Sequence, residues 1–390
     1  MTTHRQRVLD ALDHKETDRV PIDFGGTYTT TIYYAAYERL KAELGINGTE
    51  TQIYSKTRRL AIPDEKVLQR FDVDTRFVGL GAYEGEQKEL DEDTFLDEWG
   101  TIWKKAEDGH YLYVDGPFFD RKKPDPALVE TGNWPDPDNP GYYRGLRDRA
   151  AAQRATGAAV ILNMPIGVIH QGQFLRGFGD WLKDLYKNRA FAERMMDMIA
   201  ERWIAVAENA LDHCGDDIDI VFFGDDLAGQ LAPLFDPAIY RQLIKPRHAR
   251  MIEAVKQKAD VKVLYHSCGA VTRMIDDLID IGVDALNPVQ VAAGDMEPAS
   301  LKQRFGDRIA FWGGIDTQGI LPFGSADEVA REVERVIDIL GDGGGFVLNS
   351  VHNIQNDIPV ANIVAMFDAA VARGRSLGAR SHDGARDALI

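Results

Sequence analysis

The chain has 390 residues, 44% of them apolar and 27% charged, with 62 acidic against 45 basic side chains and a formal net charge of −17. That balance suits a soluble globular protein with a sizeable core and opposes nucleic acid or an anionic membrane as the main partner. Its two cysteines cannot build a disulfide framework, and no apolar run approaches the roughly 20 residues of a membrane span.

The opening stretch, MTTHRQRVLDALDHKETDRVP, lacks an apolar signal core and reads as an amphipathic helix ended before a proline, which predicts a cytoplasmic chain. Eight short apolar, β-branched runs then follow at 20–26, 75–81, 158–165, 218–226, 261–269, 284–290, 309–316 and 344–352. Near-continuous apolar runs predict strands buried on both faces, hence a parallel sheet. Helix-period segments separate most of them: 178–215 as one or two helices, 236–259 interrupted by Pro246, 270–282, and 325–345 with Ser325 as N-cap and Glu328 three residues on. Eight strand–helix units predict an α/β fold, a (β/α)8 TIM barrel, with a doubly wound open sheet as the alternative. The tight alternation from 218 to 352 favours the barrel.

Residues 82–142 break the rhythm. They hold a predicted β-hairpin turning at 107–109 and then a stretch rich in Pro and Asp, which together read as a lid inserted after the second strand. The expected organisation is a single domain over 1–380, with a polar tail at 381–390.

In a barrel the chemistry gathers at the C-terminal ends of the strands. Those ends carry Asp23; Asn163, with His170 and Gln171 soon after; Asp225, Asp226 and Gln230; His266 and Cys268; Asn287 and Gln290; Trp312, Asp316 and Gln318; and Asn349 and His352. Residues two apart on a strand face one side, so His266 and Cys268 can share a site, and a closed sheet can bring His352 to it from the last strand. Two imidazoles and a thiolate suit zinc, with a fourth position open for substrate or water. Asp226, Asp23 and Asp316 are candidates for orienting substrate or moving protons. Asn163, His170, Gln171, Gln230, Trp312 and Tyr28 are candidates for substrate contact. Simpler readings stand beside these: Asp23 as a turn former before two glycines, and Cys214, without a partner at ligand spacing, as a buried structural thiol.

Four stretches carry a family likeness: RQRVLDALDHKETDRVPIDFGG, GDDLAGQLAPLFDPAIYRQLIKPRHARMI, VLYHSCGAV, and AFWGGIDTQGIL with GGGFVLNSVHNIQNDIPVANI. They resemble the uroporphyrinogen decarboxylase superfamily, and within it the methyltransferase branch that moves methyl groups between corrinoid proteins and coenzyme M. The resemblance implies a (β/α)8 barrel, a homodimer and a zinc site. That branch has H-x-C followed later by a second cysteine; here His266 and Cys268 match the first part and His352 stands in the second cysteine's place. One thiolate instead of two leaves the ion more positive and a stronger Lewis acid. The family's decarboxylases grip substrate carboxylates with arginines soon after the first strand. DFGGTYTTTIYYAAYERL reaches none before Arg39, which implies a smaller, less anionic ligand.

The expected function is therefore a zinc-dependent methyltransferase. The chain lacks the D-x-H-x-x-G corrinoid anchor, so cobalamin would come on a separate corrinoid protein or as free cofactor. A metal-free decarboxylase is the alternative, with Asp23 and Asp226 handling protons and His266 and His352 binding carboxylates. A non-catalytic binding barrel is a third reading.

Overall fold

Seven of the eight apolar runs form one curled parallel sheet in the computed structural model. It describes residues 2–387 apart from 47, 56, 86, 87, 108, 165 and 166, with side chains as far as residue 373. The strands are β1 (Thr75–Gly79), β2 (Ala159–Asn163), β3 (Ile220–Gly224), β4 (Lys262–His266), β5 (Ala285–Val289), β6 (Ala310–Ile315) and β7 (Phe346–Ser350). They lie side by side in sequence order, each parallel to the next.

The first predicted run does not form a full strand. It supplies only a three-residue stave, but that stave closes the ring. Ile22 bridges Leu348 in parallel, the Leu348 amide donates to Pro21 O and the Asp23 amide to Leu348 O, each at 2.9 Å. On the other side the Asp74 amide donates to Ile22 O at 2.8 Å, and the Ile22 amide donates to the Asp74 carboxylate at 2.7 Å. Closure excludes the open doubly wound alternative and makes the fold a TIM-type barrel.

Strand alternation sorts the core. Ala159, Ile161, Ile220, Phe222, Leu264, Ala285, Ala310, Trp312 and Val347 fill the interior with Tyr28, while Val8 and Leu12 of the first helix (His4–Leu12) plug the bottom. The intervening residues, such as Val160, Val221, Val263, Tyr265 and Leu286, pack outward under the helices. The same two-residue step continues past the apolar layer. Asn163 follows Ile161, His266 follows Leu264, Asn287 follows Ala285 and Asn349 follows Val347, so a ring of polar side chains crowns the barrel.

The helices follow their sequence signals. Ser325 and Glu328 form a reciprocal capping box on Ala326–Leu340. The 178–215 segment is two helices, Phe178–Lys187 and Arg189–Cys214, divided at the non-helical Asn188. Pro246 does not break its helix. It sits in the first turn of Lys245–Lys258, preceded by a π-helical turn, Tyr240–Ile244, that absorbs the missing N–H.

The insertion is more elaborate than a hairpin. It holds a four-stranded antiparallel sheet of Lys88–Asp91, Thr94–Leu96, Ile102–Lys105 and Tyr111–Asp115. The predicted turn joins the last two strands, and its residue 108 lies outside the described residues. A second small sheet, of Ile32–Tyr33, Gln52–Ser55 and Leu60–Ile62, was not anticipated. The final helix, Val360–Asp387, runs without a break across the expected tail boundary at 380; residues 388–390 of that tail lie outside the described residues. Among the described residues, no helix is long and apolar enough to cross a membrane.

Candidate metal centre and substrate cavity

The HSCG stretch after β4 is built by its neighbours. Ser267 is fully buried; its amide donates to Asn287 O at 2.7 Å and its hydroxyl accepts from the Leu227 amide at 3.0 Å. Gly269 adopts φ +87°, and a Cβ there would meet the Ala228 and Gly229 carbonyl oxygens at 2.6 and 2.5 Å. Only glycine tolerates both conditions. Next door, a Cβ on Gly224 would lie 2.1 Å from His266 O, so the top of β3 is kept bare where β4 presents its histidine.

This scaffold brings the predicted trio together. Donor atoms of His266, Cys268 and His352 lie within 4.8 Å of one another. Cys268 Sγ stands 3.4 Å from His266 Nε2, and the two imidazole rings are 5.6 Å apart, edge to face. In a tetrahedral zinc site the ligand atoms stand about 3.3–3.6 Å apart, so one pair already has the spacing and the others need only a small approach. His266 Nδ1 lies 2.7 Å from Asn287 Oδ1. That contact puts the ring proton on Nδ1 and leaves the Nε2 lone pair facing the sulfur.

Burial holds His352 down at about 3, aided by repulsion from His266. Burial also lowers His266, against the pull of Asp226. Both imidazoles are therefore neutral near pH 7, as ligands must be. Burial and the nearby Asp226 push the Cys268 thiol up, so an arriving cation must displace its proton. The residues present form a group that could hold a metal ion.

Beside the trio runs a chain of alternating carboxylates and imidazoles. The Asp226 carboxylate accepts from the Cys268 amide at 2.8 Å and lies 3.7 Å from His266 Nε2. Its other oxygen is 3.3 Å from His170 Nε2, and His170 Nδ1 is 3.3 Å from Asp225. Asp225 accepts from the Ile169 and His170 amides at 2.9 and 2.8 Å and meets His248 Nε2 at 2.9 Å. Burial would lower His170, but the two carboxylates outweigh it and raise the group to about 9. Burial would likewise raise Asp225, yet hydrogen bonds to His170 and His248 bring it to about 2. Asp226 is also held below the usual range, its burial outweighed chiefly by His170.

A cavity of about 230 Å³ opens here, with Tyr28, Arg58, His170, Asp226, His266 and His352 on its wall. Arg58 corrects the expectation of an arginine-free site. Its guanidinium lies 4.9 Å from the centre of the Tyr28 ring, while Arg39 is spent on Asn356 at the surface. Arg58 arrives from the small sheet rather than from the loop after the first stave, and the only sequence trace of it is the pair of arginines in SKTRRL.

The other candidates take different positions. Asp23 is fully buried and accepts from the Gly26 amide, Thr75 Oγ1 and Trp312 Nε1 at 2.9, 2.5 and 2.8 Å. Burial raises its carboxyl. Asp23 and Trp312 thus lie inside the barrel, below the cavity, where they clip the first stave to β1 and β6. Asn163 is turned to the 26–28 loop, donating to Gly26 O at 2.9 Å and accepting from the Tyr28 amide at 3.1 Å. Gln230 is exposed and accepts from Gln290 at 3.0 Å, which supports the Gly269 turn. Asp316 accepts from the Gln318 amide at 3.0 Å and does not reach the cavity wall. Gln171 faces a neighbouring chamber. Cys214 is buried, its thiol donating to Ala210 O at 3.1 Å. The sequence reading passed over His248, which hides mid-helix in KPRHAR.

Comparison with known proteins agrees with this architecture. The family model described as Uroporphyrinogen decarboxylase (URO-D) matches residues 166–372, more than half of the chain. The uroporphyrinogen decarboxylase of Actinobacillus succinogenes is 22% identical over 261 residues, covering 65% of this chain and 71% of that protein. That of Alkalilimnicola ehrlichii is 24% identical over 269 residues, covering 66% and 70%. A methyltransferase from Methanosarcina mazei superposes with a TM-score of 0.63 at 17% identity, over 95% of this chain and 99% of that one. The barrel and the family model converge: this chain belongs to the uroporphyrinogen decarboxylase family of enzymes.

Proposed function

We propose that the protein is a zinc-dependent methyltransferase, and the observation that carries this reading is the convergence of His266, Cys268 and His352. The name of the Methanosarcina mazei neighbour supports it. These three residues would hold the ion, with Asn287 fixing the His266 tautomer. When bound, zinc supplies Lewis acidity toward a heteroatom or thiol.

The remaining steps belong to the chain. His170, charged at neutral pH and braced between two aspartates, holds its Nε2 proton against Asp226 on the cavity wall. As the bond between the methyl carbon and its heteroatom breaks, the electron pair stays on the heteroatom and the His170 proton can follow it. Asp226 orients that imidazolium. The methyl group passes to a nucleophilic acceptor, for which a reduced corrinoid on a separate protein is our candidate; the mouth of the barrel would then be its docking face. A cavity of about 230 Å³ lies below the roughly 300–1,000 Å³ of drug-sized sites and fits a small substrate.

Arg58 on the cavity wall, with the decarboxylases among the relatives, favours a second reading: a metal-free decarboxylase of a small carboxylated compound, the carboxylate on Arg58. Metal analysis of the purified protein separates the two. About one zinc per chain, lost in His352→Ala, supports methyl transfer. A fully active protein free of metal overturns it in favour of the decarboxylase.

A further inference from the structure

A second chamber, of about 450 Å³, lies where the inserted sheet meets the barrel mouth, and Asn163 and Gln171 form part of its floor. Tyr54 on its wall stacks on Tyr28 of the metal cavity at 5.8 Å, so the two spaces stand back to back. Its wall is unusual in composition. Tyr54, Trp99, Trp103 and Phe174 line it together with Tyr142 and Trp203, and the rings touch: Trp103 and Phe174 centroids are 4.9 Å apart, Trp99 and Trp203 5.1 Å. The Asp97 carboxylate shares the wall. Aromatic faces and carboxylates both attract positive charge.

The hydrogen bonding narrows the class of cation. Asp97 accepts from Trp103 Nε1 at 2.7 Å, the Thr101 amide at 2.8 Å and the Trp99 amide at 2.9 Å. Its oxygens are engaged, so it offers charge rather than a free acceptor. Burial pushes its carboxyl up to about 6. A primary ammonium would bring three N–H donors into a box of ring faces; a quaternary one brings none. Tyr142 and Trp203, each 4% exposed, add an independent sign of a ligand. The Tyr142 hydroxyl and the Trp203 ring N–H are buried without a partner among the described residues. Buried donors of this kind ask for an acceptor, and the indole N–H can only donate.

We propose that this chamber binds a small methylated ammonium compound that also carries a neutral oxygen acceptor. The inference does not rest on the metal or on methyl transfer, although it names compounds with methyl groups to give.

Choline is the probe, titrated into the full-length protein by calorimetry and by tryptophan fluorescence, since Trp99, Trp103 and Trp203 are three of the chain's six tryptophans. One saturable site per chain is expected. The uncharged isostere 3,3-dimethylbutan-1-ol should bind at least about tenfold more weakly, and tetramethylammonium, which lacks the oxygen, a few-fold more weakly. Phe174→Leu and Trp103→Leu should each weaken choline about tenfold. Trp103 also braces Asp97, so Phe174→Leu decides the matter if the other variant melts early. His352→Ala should leave choline binding intact, which separates this site from the metal centre. The proposal fails if choline shows no saturable binding, if the neutral alcohol binds as tightly, or if folded Phe174→Leu binds unchanged. Tetramethylammonium matching choline would overturn the oxygen contact.

Discussion

Both ends of the barrel bury a carboxylate cluster, but they neutralise it with different chemistry. At the bottom, Asp74 is fully buried and ion-paired to Arg7 and Arg19 at 2.6 Å each, with His4 at 2.7 Å. At the mouth, the equally buried Asp225 has His170 and His248, and Asp226 has His170 and His266. Guanidinium is permanently charged and forks onto carboxylate, so the lower cluster is a fixed rivet joining the first helix, the closing stave and β1. Imidazole changes charge near neutral pH and ligates metals, so the upper cluster can exchange protons and partners. One buried network is fixed in charge; the other can change it.

Removing a ligand at the mouth should have the largest effect on function and little on folding. His352→Ala is expected to lower bound metal from about one to under about a tenth per chain, measured by elemental analysis, and to abolish methyl transfer. The reverse holds below. Asp74→Ala breaks two buried ion pairs, leaving Arg7 to Asp18 and Arg19 to Asp72, and should cost about 3 kcal/mol, read by urea unfolding, with metal content unchanged in whatever protein folds. If Asp74→Ala proves harmless, the rivet is no rivet.

A subtler variant tests how the mouth is tuned. Asn287→Ala removes the acceptor on His266 Nδ1 and should weaken metal binding about 10- to 100-fold in competition with a chelator. Equal affinity would mean that the tautomer is set by something else.

The smallest effect is in pH. His170 is raised to about 9 from 6.5, so its contribution to stability is complete below pH 6.5 and is lost as pH climbs toward 9. Metal-free protein should lose about 1–2 kcal/mol over that window, and His170→Gln should flatten the curve. Asp74, lowered from 3.8 because His4, Arg19 and Arg7 outweigh its burial, behaves oppositely. Its contribution is full above about pH 3.8 and is lost only as pH falls further. The mouth should loosen in alkali and the base in acid.

Much of the barrel was legible in the sequence because its strands are buried on both faces and read as unbroken apolar runs. The convergence of His266, Cys268 and His352, a group that could hold a metal, was legible because H-x-C and His352 sit where such runs stop. What the sequence hid depends on tertiary context. Lys88–Asp91 is exposed throughout and carries no alternating pattern to mark it as a strand. Arg58 reaches the cavity from an antiparallel sheet whose pairing no local signal announces. Asp23 and Trp312 looked like mouth residues from their places at strand ends. They turn inward because the first stave is so short that its one carboxylate is needed to tie the ring together. His248 meets Asp225 from the first turn of a helix that follows directly on a π-helical turn, where a proline in sequence suggests a break instead.

That three-residue stave has a mechanical consequence. A hoop yields first at its narrowest slat, and here the slat lies between β7 and β1, far around the ring from His266 and Cys268. Breathing at this joint would carry His352 outward while the H-x-C half kept its shape. An ion gripping all three residues would then act as a clasp across the opening, making cofactor loading and rigidity of the rim one and the same event.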